Sequence, residues 1–201
     1  MGGTERESGP ETGRRILLIR HGPPDFAPPA LVGRDEVGAV LARHRAATVT
    51  EPPPASLVAE LRARGPGCAV SSDLPRARTS AALLGLEPVL SDPLWAEAEL
   101  PHPGRLPVAL PWGAMLALCR LAWLVGYRAG APGRRADLRR AGVAADRLVE
   151  LAAEHGSVAL VAHGIVNRMI RRELEGRGWR TESRDGDGHW SCATLSRPTP
   201  Q

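Results

Sequence analysis

The chain contains no lysine: all 26 of its basic residues are arginine. That excludes chemistry built on a lysine amine, namely Schiff-base catalysis, attachment of pyridoxal phosphate and the lysine-bearing Walker phosphate loop. A phosphate group must instead be held by the planar guanidinium fork, by imidazole or by backbone amides. Aromatic residues are also scarce, at 3%, too few for the stacking platforms that grip single-stranded nucleic acid. The net charge of +4 carries no dense basic run, so a small anion fits better than a nucleic-acid partner. Cysteine is limited to Cys68, Cys119 and Cys192, an odd number without a C-x-x-C pair. This spacing suggests neither a disulfide framework nor a zinc site, and it reads as reduced core thiols in a cytoplasmic protein. Residues 1–13 are polar, without a signal-peptide core, and read as a disordered tail.

What remains is a globular composition, 43% hydrophobic and 24% charged over 201 residues. It is long enough for one domain, placed at 14–197, with a substantial core. One apolar segment, 109–127, approaches the length of a membrane span. Arg120 in its middle, with Pro111 and Gly113 near its start, argues for a helix in an insertion around 101–131 and against a span. With Trp95, Trp112 and Trp123 and the Pro-rich loops, this insertion could form a lid with an apolar rim.

Two stretches end alike. Ile16-Leu17-Leu18-Ile19-Arg20-His21-Gly22 and Val158-Ala159-Leu160-Val161-Ala162-His163-Gly164 are short apolar runs that stop at histidine and glycine. Both read as buried strands. Ligands of open α/β sheets bind beyond the carboxyl ends of the strands. If the two runs pair in parallel, both imidazoles and Arg20 therefore open into one crevice suited to a phosphate.

The intervening pattern alternates strand and helix. A stiff Pro-rich loop at 23–29 is placed to wall a pocket mouth. Helices are expected at 37–46, around 57–61, at 74–84, at 134–154 and at 165–174; strands are expected at 68–72, at 87–90 and, as a weakly alternating edge strand, at 190–195. Arg76 then falls in the first turn of a helix, at its positive end, and Arg78 points elsewhere, to the surface. Together these elements argue for a three-layer α/β/α sandwich around a mostly parallel sheet.

Arg20-His21-Gly22, then Ser72-Asp73-Leu74-Pro75-Arg76-Ala77 at a strand-to-helix junction, then Ala162-His163-Gly164 form a set that resembles the histidine phosphatase superfamily, the phosphoglycerate-mutase-like enzymes. The resemblance covers roughly 16–174. It implies that His21 attacks phosphorus and becomes phosphohistidine, and that Arg20, Arg76 and His163 hold the phosphoryl oxygens. It implies further that a glutamate between the second and third motifs serves as the acid. Glu97 best matches that place, with Glu99 as competitor. Asn167, one helical turn after His163, either faces the pocket to bond substrate or lies on the surface. Gly22 and Gly164 are expected to let the backbone turn sharply where the strands end.

A neutral imidazole among cations suits a phosphate monoester, which repels anionic nucleophiles. The expected activity is therefore metal-independent hydrolysis of a phosphorylated small molecule or phosphoprotein, with no cofactor. A phosphoglycerate-type mutase and a non-catalytic phospholigand-binding module are the alternatives. The chain departs from the commoner pattern in Leu100-Pro101-His102-Pro103 after the acidic pair, where many relatives carry glycine and tryptophan. It departs again in Pro23-Pro24 after the first motif. Substrate identity is therefore not carried over, and no sequence signal bears on oligomeric state.

Overall fold

The computed structural model describes residues 13–33, 35–102 and 108–197. The tail expected at 1–13 lies outside them but for its last residue, as does 103–107 of the expected insertion.

Six strands form one mixed sheet in the order β3-β2-β4-β1-β6-β5. β1 (Arg14–Arg20), β4 (Ser157–Ala162), β2 (Cys68–Ser72) and β3 (Leu90–Asp92) run parallel. β6 (Cys192–Arg197) and β5 (Arg180–Arg184) are antiparallel additions beyond β1. The two His-Gly strands are direct neighbours, with Arg20 opposite Ala162, so both histidines leave the sheet at one level.

Alternation along β1 divides the core. Ile16 and Leu18 face α5 (Arg134–His155) and α6 (Gly164–Gly176), meeting Ala141, Ala145, Leu148 and Ile170. Leu17 and Ile19 face the other way, onto Leu57 and Leu61 of α2 (Ala55–Arg64) and onto Ala81 of α3 (Pro75–Leu83). The result is the expected α/β/α layering. Of the three reduced cysteines, Cys68 and Cys192 are buried against these two faces.

A third apolar cluster joins α1 (Val37–Ala46) to α4 (Trp112–Leu124). There Val32, Val37 and Val40 meet Met115 and Cys119, and a single bridge ties Val32 to Leu110. α4 occupies the stretch whose apolarity resembled a span. Among the described residues, no helix is long and apolar enough to cross a membrane.

The far side of the sheet departs from expectation. The strand expected as an edge at 190–195 is β6, which lies inside the sheet between β1 and β5. The edge is β5, which the sequence pattern does not reveal. Arg-Thr-Glu-Ser-Arg is exposed at every position, so no buried face imposes an apolar alternation. The strand expected at 87–90 begins only at Leu90, because its sole neighbour β2 pairs with it from Leu90 to Asp92.

Candidate active site

His21 follows the last residue of β1 and is 4% exposed. Its Nδ1 lies 2.6 Å from the carbonyl oxygen of Gly22, a group that only accepts, so Nδ1 carries the proton. The Nε2 lone pair then accepts from Nε of Arg76 at 3.1 Å. Both contacts describe the same neutral tautomer. Burial, reinforced by the Arg76 charge, holds the imidazole pKa down to about 2.

Arg76 stands in the first turn of α3, as expected, and is 4% exposed. Its Nη1 donates to the carbonyls of His44 at 3.2 Å and Arg45 at 3.0 Å, two acceptors left open where α1 ends. Burial lowers its pKa to about 10, opposed by the charge of Glu97, so it remains a cation at neutral pH. Ser80, one turn on, accepts from the Gly22 N–H at 3.0 Å and donates to the Arg76 carbonyl at 2.7 Å. That hydroxyl couples the first motif to α3. Arg78 is exposed, as expected.

His163 caps α6 and is fully buried. Its ring meets His21 edge to face with centroids 4.9 Å apart, and Nε2 lies 2.8 Å from the Ser72 hydroxyl. Nδ1 is buried without a partner. Burial, with the charge of Arg76, keeps this imidazole well below its usual pKa.

Glu97 presents its carboxylate to the first turn of α6, accepting from the N–H groups of Ile165 at 3.3 Å and Val166 at 3.1 Å. A carboxylate at a helix N-terminus is held by open donors and by the helix dipole. Glu99 is exposed and lies further out on the same wall. α5 fixes the approach to Glu97. Nη1 of Arg140 donates to the carbonyls of Leu94 at 3.0 Å and Ala96 at 2.6 Å, while its Nη2 pairs with Asp137 at 2.9 Å.

The two glycines act differently from expectation, since neither has a positive φ. Their role is room. A Cβ on Gly164 would sit 3.3 Å from Cζ and Nε of Arg20, and one on Gly22 only 2.3 Å from the Trp190 ring. Each glycine thus lets a large side chain approach the backbone.

A cavity of about 620 Å³ opens here, bordered by Arg20, His21, Arg76, Glu97 and Glu99. Its outer wall includes Pro24, Phe26 and Pro28 of the Pro-rich loop and Trp112 of α4, which agrees with the expected pocket mouth. His163 lies behind His21 and does not border this cavity. Asn167 is a correction: it lines a separate, smaller cleft, with its side-chain amide donating to the Ile19 carbonyl at 3.0 Å. The helical turn after His163 carries it over β1 and away from the crevice.

Sequence reasoning missed His189 and Asp187. β6 runs antiparallel to β1 with Cys192 opposite Ile19, so the loop preceding it lands at the carboxyl end of β1. There the Asp187 carbonyl accepts from Nη1 of Arg20, and Nε2 of His189 lies 3.3 Å from Nη2 of Arg20. Burial lowers the His189 pKa to about 4. Gly186-Asp187-Gly188 signals a turn; only the unforeseen β5–β6 hairpin brings it to the site.

No family model matches the chain and no curated protein matches it. Solved structures do. An open-reading-frame product of Mycobacterium tuberculosis superposes with a TM-score of 0.57 at 18% identity, over 93% of this chain and 96% of that one. A mycobacterial glucosyl-3-phosphoglycerate phosphatase gives 0.52 at 24% identity, covering 90% and 89%. An Escherichia coli protein described as a putative alpha-ribazole-5'-P phosphatase gives 0.51 at 20%, covering 81% and 80%. The chain shares their fold, the phosphoglycerate-mutase-like α/β architecture.

Proposed function

We propose that this chain is a metal-independent phosphomonoesterase of the histidine phosphatase superfamily, with 14–197 as one catalytic unit and His21 as its nucleophile. The observation that carries this reading is the His21 tautomer. Nδ1–H is committed to Gly22, which leaves an unprotonated Nε2 among two arginines at the head of a cavity. The phosphatases among the proteins of like fold support the same reading.

An incoming phosphate monoester takes over the Arg76 N–H that Nε2 holds at rest. Nε2 then attacks phosphorus in line, forming the P–N bond as the P–O bond to the alcohol breaks. Arg20 and Arg76 offset the charge on the equatorial oxygens, while His163, buried behind His21, packs edge to face on the nucleophile's ring and holds it in place. The Glu97 carboxylate takes the proton of the entering phosphate monoanion and passes it to the departing alkoxide. The resulting carboxylate takes a proton from water, which attacks phosphorus and releases inorganic phosphate, and the P–N electron pair returns to Nε2. Arginine supplies the charge that a metal ion supplies elsewhere, so the reaction calls for none.

Hydrolysis of p-nitrophenyl phosphate tests the proposal. Activity should fall by at least about a thousandfold in His21→Ala, and acid-labile, base-stable phosphate should be trapped on the native chain alone. Isomerisation of phosphoglycerate primed by bisphosphoglycerate, without phosphate release, would identify a mutase instead. Vanadate binding without turnover would identify a binding module.

A further inference from the structure

Phosphoryl transfer uses only the inner end of the cavity. The outer part has its own character, built by α1, α4 and the Pro-rich loop. The rings of Phe26, His44 and Trp112 meet pairwise at centroid distances of 5.2, 5.5 and 5.4 Å in edge-on and tilted arrangements. All three border the cavity, and Leu116 and Leu41 extend the same apolar wall. Burial holds the His44 imidazole down to a pKa of about 4, so it joins the cluster as a neutral ring. With one Phe and one Tyr in the whole chain, the gathering of Phe26 and Trp112 on this wall is a notable concentration of aromatic surface.

Charge adds a second element. Beyond Arg20 and Arg76, the cavity is bordered by Arg45 and Arg120. Both are exposed, and no carboxylate pairs with either among the described residues. The wall carries two glutamates, of which Glu97 is held by α6. Four guanidiniums against two carboxylates leave a net charge of +2, which one phosphoryl dianion balances in sum. A second anion is called for by place and not by total charge, since Arg76 is engaged at His21 while Arg45 and Arg120 have no carboxylate partner of their own among the described residues. At about 620 Å³ the cavity is also of the size that encloses a drug-sized ligand, with apolar walls and a few polar anchors.

Resting on the phosphatase reading of the same site, we infer that the substrate is a phosphomonoester whose alcohol carries a flat apolar ring and a carboxylate. The ring lies against Phe26, His44 and Trp112, and the carboxylate meets Arg120 and Arg45. Aromatic faces reward a planar partner beyond simple area burial, and the guanidinium fork matches a carboxylate.

The experiment compares kcat/KM for three esters of primary alcohols with similar leaving groups: ethyl phosphate, 2-phenylethyl phosphate and its 4-carboxy derivative. The ring should raise kcat/KM about tenfold or more and the carboxylate by up to about fivefold again. Trp112→Ala should bring the phenylethyl ester down to the level of the ethyl ester, and Trp112→Phe should restore the difference. Arg120→Ala should erase the gain from the carboxylate. Equal kcat/KM for all three esters in the native protein would overturn the inference, as would a ring preference untouched by Trp112→Ala. Failure to hydrolyse any of them, with no phosphate trapped on His21, would sink the phosphatase reading itself.

Discussion

At the scale of the residue, identity matters through the room and the hydrogen bonds each side chain leaves its neighbours. Gly22 and Gly164 follow the two histidines and look equivalent in sequence, yet they face different partners. Gly164→Ala would press on the Arg20 guanidinium, 3.3 Å from the new Cβ, and displace the residue proposed to hold phosphate. Its backbone is helical and carries no positive φ, so the melting temperature should hold while kcat/KM falls roughly tenfold. Gly22→Ala would drive a methyl into the Trp190 ring and should destabilise the fold by about 1–3 kcal/mol. Thermal melts and steady-state kinetics on the two variants separate these outcomes. The need for glycine was legible at both places, but its reason was not, because neither Arg20 nor Trp190 is adjacent in sequence to the glycine it crowds. Ser80 likewise shows in sequence only as a small polar residue, since the Gly22 N–H that donates to it lies 58 residues away.

At the scale of the element, α5 does more than cover the sheet. Its Asp137 accepts from Nε1 of Trp123 on α4 at 2.8 Å and pairs with Arg140, whose other nitrogen grips the carbonyls ahead of Glu97. One helix therefore ties α4 to the segment bearing Glu97. Arg140→Met keeps the aliphatic stem and removes those bonds. Loss of charge-assisted hydrogen bonds of this kind costs about 1.5–3 kcal/mol. On the role proposed for Glu97, which is exercised in the transition state and not in holding ground-state phosphate, kcat should fall several-fold with KM little changed. Denaturation and steady-state kinetics on p-nitrophenyl phosphate check both halves. Helices with a strong apolar period, such as α6, were readable to within a residue or two. β5 was not, because an exposed edge strand has no buried face to leave a pattern.

At the scale of the whole molecule, the fold keeps its site histidines neutral. Burial lowers the pKa of His21, His163, His44 and His189, whereas in the unfolded chain each protonates near 6.5. Below that value the unfolded state binds more protons than the native state, so stability must fall as pH falls. The loss begins near 6.5, and its His44 and His189 parts end near 4. For His21 the window extends to about 2. Above neutrality these groups contribute no pH dependence. Urea midpoints measured at about pH 7.5 and about pH 5 should show the drop. His21→Gln should flatten the profile by up to about 1.4 kcal/mol per pH unit; an unchanged slope would mean that His21 titrates normally in the fold.

The amino-acid order alone determined the strand–helix alternation, the two strands that end in His-Gly and the arginine in the first turn of α3. Each of these is written in local periodicity and in residue types that serve few other purposes. Tertiary structure decided what depends on distant neighbours. It set His163 behind His21, sent Asn167 to another cleft, seated Glu97 on α6 and brought the loop carrying His189 back over β1. Those placements follow from antiparallel pairing, helix-end donors and side-chain volume, which are properties of elements already packed together.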